Sequence, residues 1–308
     1  MLGITILGNN SALPAFDRHP TSQVVTVDDQ VFLVDCGEGS QVRLAKYKIR
    51  WSRINHIFIS HLHGDHYFGL PGFIHSMGLL NRENDLHLFA PAHLHLFAPA
   101  PLIDILNLQF CAAGSTLSYT LHFHPLEKEG ELLRTDRCRV SCFATKHRIP
   151  CWGFRFEQIK APRKINPVKA RNHKLPPSVF ERLKWGEDAI NEEGALISNE
   201  WVTEAAPKPK SYAYCADTIY DEDLVEKVRA VDILYHETTY LKDLADRAAL
   251  RFHATTAEAA TIALKAGVNK LLIGHFSSKY DKLDVFQQEA REIFPNTELA
   301  LEGATYFA

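Results

Sequence analysis

His61-Leu62-His63-Gly64-Asp65-His66 constrains this chain more than any other stretch. Three imidazoles and a carboxylate fall within six residues, directly behind the apolar run Ile57-Phe58-Ile59. Such a run reads as a buried strand, which delivers the side chains that follow it at a rigid end. Gly64 is expected to let the backbone turn so that the four ligating groups diverge. His61 and His63 stand at i and i+2, with Asp65 and His66 behind them, so the group can serve two neighbouring metal ions rather than one. Imidazole and carboxylate donors without thiolate suit Zn²⁺, with Mn²⁺ and Fe²⁺ as competitors. A plain polar loop would not gather four ionisable groups so densely.

Composition sets the frame for that motif. The chain has 308 residues, 46% hydrophobic and 23% charged, enough for one large or two small domains. A formal charge of −3 points to no nucleic acid partner as a whole, so any such reading must rest on local patches. Six cysteines show no Cys-x-x-Cys pair, which indicates neither a disulfide framework nor a zinc knuckle. The run Leu2 to Leu7 has no basic residues before it and reads as a first strand, not a signal peptide. No segment approaches the roughly 18 apolar residues that a membrane span needs. A cytoplasmic protein without a membrane partner is expected.

Strand-like runs occur at Ile4–Leu7, Gln23–Val27 and Val31–Asp35, after which Cys36-Gly37-Glu38-Gly39 opens a helix to about Tyr47. Thr255-Thr256-Ala257-Glu258 is a capping box ahead of an Ala-rich helix that Gly267 stops. Asp221-Glu222-Asp223 places acids in the first turn of a helix ending near Arg229, and Pro295 ends another after Phe294. The carboxy-terminal half alternates strands (Tyr212–Cys215, Asp232–Tyr235, Leu271–Ile273) with helices, an α/β pattern. Ligands in such sheets bind beyond the carboxyl ends of strands. Asp217, His236-Glu237 and His275 each sit just past one, as His61 does, which points to a single shared site.

Leu86–Ala92 (LHLFAPA) recurs at Leu94–Ala100. Two copies do not make a solenoid, and the even interval preserves strand alternation. One copy is expected in a core strand and the other in an extended loop. His87, His93 and His95 in the repeat, and His122 and His124 on a probable strand without a nearby acid, read as ordinary strand or loop residues. Lys160–Lys184 is different: it holds eight Lys/Arg against the single acid Glu181, with four prolines and few hydrophobics. It reads as a protruding arm and a poor core segment, its positive charge suited to releasing counterions from a phosphate backbone. Arg43, Lys46, Lys48, Arg50 and Arg53 form a smaller basic cluster just before the histidine motif.

The His-x-His-x-Asp-His string resembles that of the metallo-β-lactamase superfamily. Thr145-Lys146-His147, Cys215-Ala216-Asp217-Thr218 and Ile273-Gly274-His275-Phe276-Ser277-Ser278-Lys279-Tyr280 resemble, in order and spacing, the distal motifs of its ribonuclease Z family of tRNA 3′-processing endonucleases. Gly69-Leu70-Pro71-Gly72, His236-Glu237-Thr238-Thr239 and Phe252-His253-Ala254-Thr255-Thr256 extend the similarity over nearly the whole chain. The resemblance implies an α/β fold, a metallo-β-lactamase-like αββα sandwich spanning residues 1–308, with the basic arm inserted at about 158–186. It implies a first metal on His61, His63 and His147, a second on Asp65, His66 and His275, and Asp217 bridging them. Two Zn²⁺ per subunit, about 3.5–4 Å apart, would activate a hydroxide and clamp the scissile phosphate, with Asp65 orienting that nucleophile. Glu237 would hold the imidazolium of His253, which protonates the departing 3′-oxygen. His236 reads as a core histidine satisfied by backbone. Ser277, Ser278 and Lys279 could bind phosphate oxygens, and Arg163, Lys164, Lys169 and Arg171 are the arm residues expected to contact precursor tRNA. The resemblance also implies a homodimer.

Three departures from the family pattern stand out: Lys279 in place of Arg, Pro177-Ser178 in place of Gly-Pro in the arm, and Asn9-Asn10 after the first strand. The chemistry expected is removal of the 3′ trailer from precursor tRNA, leaving a 3′-hydroxyl on the tRNA and a 5′-phosphate on the trailer. The alternative is a phosphodiesterase or hydrolase of the same fold acting on a small substrate. A non-catalytic RNA-binding protein would have no need of seven ligands and a relay.

Overall fold

Buried strands organise the chain into two sheets, because the runs rich in Val, Ile and Phe are too long and too apolar to face water on both sides. The computed structural model describes residues 1–92 and 102–308. The chain divides into two compact units, Met1–Glu157 with Lys210–Ala308, and Gln158–Pro209.

In the first unit, one sheet runs in the order Thr305–Phe307, Leu2–Gly8, Ser22–Val27, Gln30–Cys36, Ile54–Phe58, Leu86–Pro91, Leu121–Leu126. The second runs Thr297–Leu299, Lys270–Gly274, Ile233–Glu237, Ser211–Cys215, Cys151–Gln158, Cys138–Thr145, Gly130–Arg134. Alternation sends Phe32, Phe58, Phe89, Phe154 and Phe156 into the space shared by the two sheets, where Phe58 stacks on Phe89 at 4.8 Å and meets Phe156 edge-on at 5.6 Å. The opposite residues of the first sheet (Leu33, Ile57, Leu88) bury helices Ser40–Lys46, Leu70–Leu79 and Leu102–Ala112. Those of the second (Ala213, Leu234, Leu271) bury Leu224–Lys227, Thr256–Ala266 and Asp284–Arg291. The architecture is the αββα sandwich.

Local signals account for most boundaries. Thr255 accepts from the Glu258 N–H while Glu258 accepts from Thr255, and Gly267, at φ 63°, ends that helix. Two helices are shorter than the sequence suggests. Only Leu224–Lys227 forms behind the acids at 221–223, because the Asp221 carboxylate is buried and bonded to Lys146 Nζ at 2.6 Å. Asp284–Arg291 stops three residues before Phe294, which turns inward against the sheet ahead of Pro295. The first LHLFAPA copy supplies strand Leu86–Pro91; the second, with His93 and His95, lies outside the described residues. No helix among the described residues is long and apolar enough to cross a membrane.

The second unit contains the basic stretch, and it builds a core that the window Lys160–Lys184 alone cannot show. Ala170, Leu175 and Leu183 pack with Ala189, Ile197 and Val202, which lie beyond that window. Asn166 caps helix Pro167–Asn172 by accepting from the Val168 and Lys169 N–H groups, and Lys164–Ile165 pairs with Thr203–Glu204. The later residues also bring acids. Lys174 pairs with Glu193, Arg182 with Glu187 and Lys184 with Glu181, and nine Lys/Arg against seven Asp/Glu leave residues 158–209 at +2.

This unit enters and leaves through one antiparallel pair, in which Glu157 stands opposite Ser211. A two-residue loop can close such a pair. Replacing residues 158–210 by Asn-Gly should therefore leave the first unit folded. Circular dichroism with a single cooperative thermal transition would check this, and loss of the transition would refute it.

Candidate metal centre

Strand ends and the outer partners of each imidazole build the site. Asp35, at the end of Gln30–Cys36, is fully buried. Its carboxylate accepts from the Ser60 N–H (2.7 Å), the Ser60 hydroxyl (2.9 Å), the Tyr214 hydroxyl (2.6 Å) and His66 Nδ1 (2.8 Å). Because the Ser60 hydroxyl donates to Asp35, its oxygen accepts from His61 Nδ1 at 3.0 Å. His147 Nδ1 donates to the Phe252 carbonyl at 2.8 Å. Thr239 Oγ1 lies 2.8 Å from Glu237 Oε2 and 2.9 Å from His275 Nδ1. A carboxylate can only accept, so the hydroxyl donates to Glu237 and receives the His275 proton. In four rings the proton is thus held outward on Nδ1 and the Nε2 lone pair is left facing inward.

Those inward nitrogens crowd one another. His66 Nε2 and His275 Nε2 are 3.3 Å apart, while His63 Nδ1 lies 3.0 Å from His61 Nε2 and 3.1 Å from His147 Nε2. Lone pairs facing at such distances repel unless a cation stands between them. The Asp217 carboxylate lies in their midst, its Oδ1 buried without a hydrogen-bond partner. Its Oδ2 is 3.5 Å from His61 Nε2 and 3.8 Å from His147 Nε2, whereas Oδ1 is 3.5 Å from His66 Nε2 and 3.3 Å from His275 Nε2. The structure therefore gathers His61, His63, His147 and Asp217 into one group and Asp65, His66 and His275 into another, the donors of each within 4.8 Å of one another. Asp65 Oδ2 reaches His275 Nε2 at 3.4 Å and accepts the Ala12 N–H at 2.8 Å.

The electrostatics call for positive charge here. Burial would lower the His66 pKa, yet Asp217, Asp35 and Asp65 outweigh it and carry the ring to about 10. Burial would raise Asp217, yet the surrounding imidazoles hold it well below the ordinary carboxylate range. A divalent metal satisfies the same demand through the inward lone pairs, and oxygen and imidazole donors of this kind suit one. The residues fit the group.

Glu237 and His253 adjoin this set. Glu237 Oε1 accepts from His253 Nδ1 at 2.9 Å and from the Ala254 N–H at 3.0 Å. Burial would lower His253, but Glu237 reverses that and carries it to about 9. His253 Nδ1 is also 3.8 Å from Asp217 Oδ2, but its proton is committed to Glu237, so this atom is not a metal donor. His236 is buried and bonds the Glu237 carbonyl through Nδ1 at 2.7 Å. A cleft of about 400 Å³ opens over Asp65, Asp217 and His253, walled by Leu13, Pro14, Phe68 and Arg148.

Several contributors escape a reading of the sequence. Asp35 is a single acid at the end of an apolar strand, with no neighbouring ligand type to mark its role. Asn9 and Asn10 bond the Ala300 and Leu13 carbonyls and so hold the loop that brings Ala12 to Asp65. Gly64 keeps an ordinary φ and opens the short helix Gly64–Tyr67, where the backbone turns after the extended His63; a Cβ there would lie 2.2 Å from the Phe68 ring. Ser277 is buried on the short strand Phe276–Ser277 and Lys279 is exposed. Arg163, Lys164, Lys169 and Arg171 lie in the second unit. Arg163 is half-buried and bonds Thr203 Oγ1 at 2.7 Å, while Lys164, Lys169 and Arg171 are exposed.

The fold and the buried histidine–aspartate set together define a metallo-β-lactamase-fold protein. The chain is similar to the Bacillus subtilis metallo-β-lactamase fold protein YhfI (17% identity, TM-score 0.68, covering 99% of this chain and 98% of that one). It is likewise similar to human tRNase Z, short form (21%, TM-score 0.69, 99% and 98%). Residues 2–159 match the family model described as Anti-Pycsar protein Apyc1. Ribonuclease Z of Bacteroides thetaiotaomicron is 44% identical over 300 residues, 97% of this chain and 92% of that protein, and ribonuclease Z of Parabacteroides distasonis is 39% identical over 302 residues, 97% of each. The chain belongs to the ribonuclease Z family, and the half ending at residue 159 also belongs with the Apyc1 family.

Asp35→Asn replaces an acceptor of four donors by an amide that must turn its NH₂ toward one of them. Metal affinity should fall about 10–100-fold, read by competition with a chelator. Unchanged affinity would remove Asp35 from the support of the site.

Proposed function

We propose that this chain is a metal-dependent endoribonuclease that removes the 3′ trailer from precursor tRNA, leaving a 3′-hydroxyl on the tRNA and a 5′-phosphate on the trailer. The observation that carries this reading is the Asp217 carboxylate, whose two oxygens each face a different set of imidazole lone pairs beside the Glu237–His253 pair. The full-length match to proteins named ribonuclease Z supports it over a small-substrate phosphodiesterase, because that match covers 97% of the chain and so takes in the second unit. The Apyc1 match ends at residue 159, where that unit begins.

His61, His63 and His147 would hold one ion and Asp65, His66 and His275 the other, with Asp217 placed to serve both. Charge balance supports two Zn²⁺ over one. Asp35, Asp65, Asp217 and Glu237 bring four negative charges and the His253 imidazolium one positive. One divalent ion leaves the pocket negative, whereas two leave a single positive charge, which a phosphodiester anion neutralises. When bound, such a pair supplies charge against the phosphate oxygens and acidifies a water. Asp65, fixed by the Ala12 N–H, orients the nucleophile. His253 releases its proton to the departing 3′-oxygen, and the buried Glu237 keeps the ring charged and aimed. Ser277, Ser278 and Lys279 contact phosphate. In the second unit, Lys164, Lys169 and Arg171, together with Arg163, contact the tRNA backbone. The enzyme is a cytoplasmic homodimer, a state that light scattering on the eluted protein would test.

His253→Ala should slow precursor tRNA cleavage by about 10²–10⁴-fold at unchanged metal content. Hydrolysis of bis-p-nitrophenyl phosphate, whose leaving group needs no proton, should suffer far less. Equal losses on both substrates would refute the acid role.

Replacing Lys164, Lys169 and Arg171 together by Ala should raise KM for precursor tRNA and leave kcat nearly unchanged. The slope of log affinity against log salt should flatten by about 0.7–0.9 for each phosphate that is no longer neutralised. Excising residues 158–210 should abolish tRNA cleavage while sparing bis-p-nitrophenyl phosphate. If the excised form still cleaves tRNA normally, the second unit does not hold the substrate.

A further inference from the structure

The loop that carries Ala12 is held in a conformation its residues do not favour. Ala12 (φ 62°), Phe16 (φ 53°) and Asp17 (φ 56°) all stand in the left-handed region without being glycine. Such residues persist only where their surroundings over-determine them. Here the surroundings centre on Arg18, whose side chain is buried, with Asp281 and Glu302 supplying opposing charge. Its guanidinium donates through Nε to Asn10 Oδ1 at 3.0 Å, through Nη1 to the Asp281 carbonyl at 2.9 Å and through Nη2 to the Tyr280 carbonyl. It also lies over the Phe16 ring, 5.2 Å from its centre. A guanidinium can only donate, so Asn10 turns its oxygen toward Arg18, and its NH₂ is thereby aimed at the Leu13 carbonyl, which it bonds. The Leu13 N–H meets the Ser11 carbonyl at 2.8 Å. That closes the tight turn from which the Ala12 N–H reaches Asp65 Oδ2 at 2.8 Å.

We propose that Arg18 is a positioning residue for hydrolysis, acting on Asp65 through Asn10 and the Ala12 N–H and tying that loop to the turn behind Ser277, Ser278 and Lys279. It rests on the reading of Asp65 as the group that orients the nucleophile. Asn10–Ser11 pairs with Phe276–Ser277, so the two segments share one short ladder beside His275, and Arg18 joins them again at Tyr280 and Asp281. Three acceptors on two segments suit a planar fork of donors; a lysine ammonium is a point charge on a flexible stem and cannot replace it. Asn10, one of the departures from the family pattern, passes the constraint on because an amide accepts on one side and donates on the other. Neither Arg18 nor Asn10 is among the residues that wall the cleft, so both act on Asp65 from behind.

Two variants of the full chain break this path at different links. Arg18→Lys keeps the charge and loses the fork; Asn10→Asp keeps an acceptor for Arg18 and loses the donor to Leu13. At saturating Zn²⁺, each should lower kcat for bis-p-nitrophenyl phosphate by up to about 100-fold, the cost of misplacing a group by about 1 Å, with KM nearly unchanged. Amide hydrogen exchange, followed by mass spectrometry, should quicken in peptides covering residues 10–18. Because both residues act on one path, the double variant should lose no more than the worse single variant. Losses that multiply in the double variant overturn the proposal, as does wild-type exchange over residues 10–18 or a rise in KM at constant kcat. Asp65→Asn, assayed alongside, should abolish hydrolysis. An active Asp65→Asn refutes the reading of Asp65 itself, whereas an inactive one beside multiplying losses refutes the Arg18 path alone.

Discussion

The buried Asp35 carboxylate is the group on which the site depends. It ties the end of one strand to the backbone and hydroxyl of Ser60, to a tyrosine of the opposite sheet and to the outer nitrogen of His66. Leaving such an acceptor unpaired in the interior would cost several kcal/mol, so the four donors are drawn to it as the sandwich closes. The consequence is directional. With the outer nitrogens of His61, His66, His147 and His275 all engaged by Ser60, Asp35, Phe252 and Thr239, the remaining lone pairs converge on Asp217. The metal-binding geometry is thus a by-product of satisfying hydrogen bonds one layer out.

That layering separates what is legible in the sequence from what is not. The inner donors are legible because each follows an apolar run, and an apolar run followed by His or Asp at a strand end is a pattern of residue types. Asp35 carries the same mark, yet nothing in the residue types tells an outer support from an inner donor, and Thr239 carries no mark at all. Each is one polar residue whose partners lie far along the chain, Tyr214 for the first and His275 for the second, so only folding reveals them. At Gly64 the turn between ligands is legible and the backbone does enter a short helix there, but the Phe68 ring that leaves no room for a Cβ is not. The basic stretch reads as core-poor because Lys160–Lys184 omits Ala189, Ile197 and Val202, which complete its core, and most of the acids that offset its charge.

The two histidine clusters use one residue type for different ends. In the cleft, every outer nitrogen of the four inward-facing rings has a built partner, and a fully buried carboxylate stands among the lone pairs. On the neighbouring strands Ile54–Phe58, Leu86–Pro91 and Leu121–Leu126, the rings are held by stacking on each other and on Phe89, and the nearest carboxylate is exposed. The first arrangement fixes both the direction and the charge of the donors. The second fixes direction alone, and His87 and His124 satisfy each other with a hydrogen bond at 2.9 Å.

The point of insertion of the second unit keeps its residues apart from those of the metal centre. Because Glu157 and Ser211 face each other in one antiparallel pair, the sheet that carries Thr145, Cys215, Glu237 and Gly274 is complete without residues 158–209. None of the seven inner donors, nor Glu237 or His253, comes from them. A unit of this size buries only a handful of apolar residues and has little stability to spare, yet its exposed cations need no more precision than a phosphate backbone demands. On the proposed reading, changes there would alter which RNA is held, and how salt weakens the hold, without moving an inner donor. The proposed reading thus makes affinity and chemistry separable in this chain, and the family model that covers His61, His63, Asp65, His66 and His147 ends where the insertion begins.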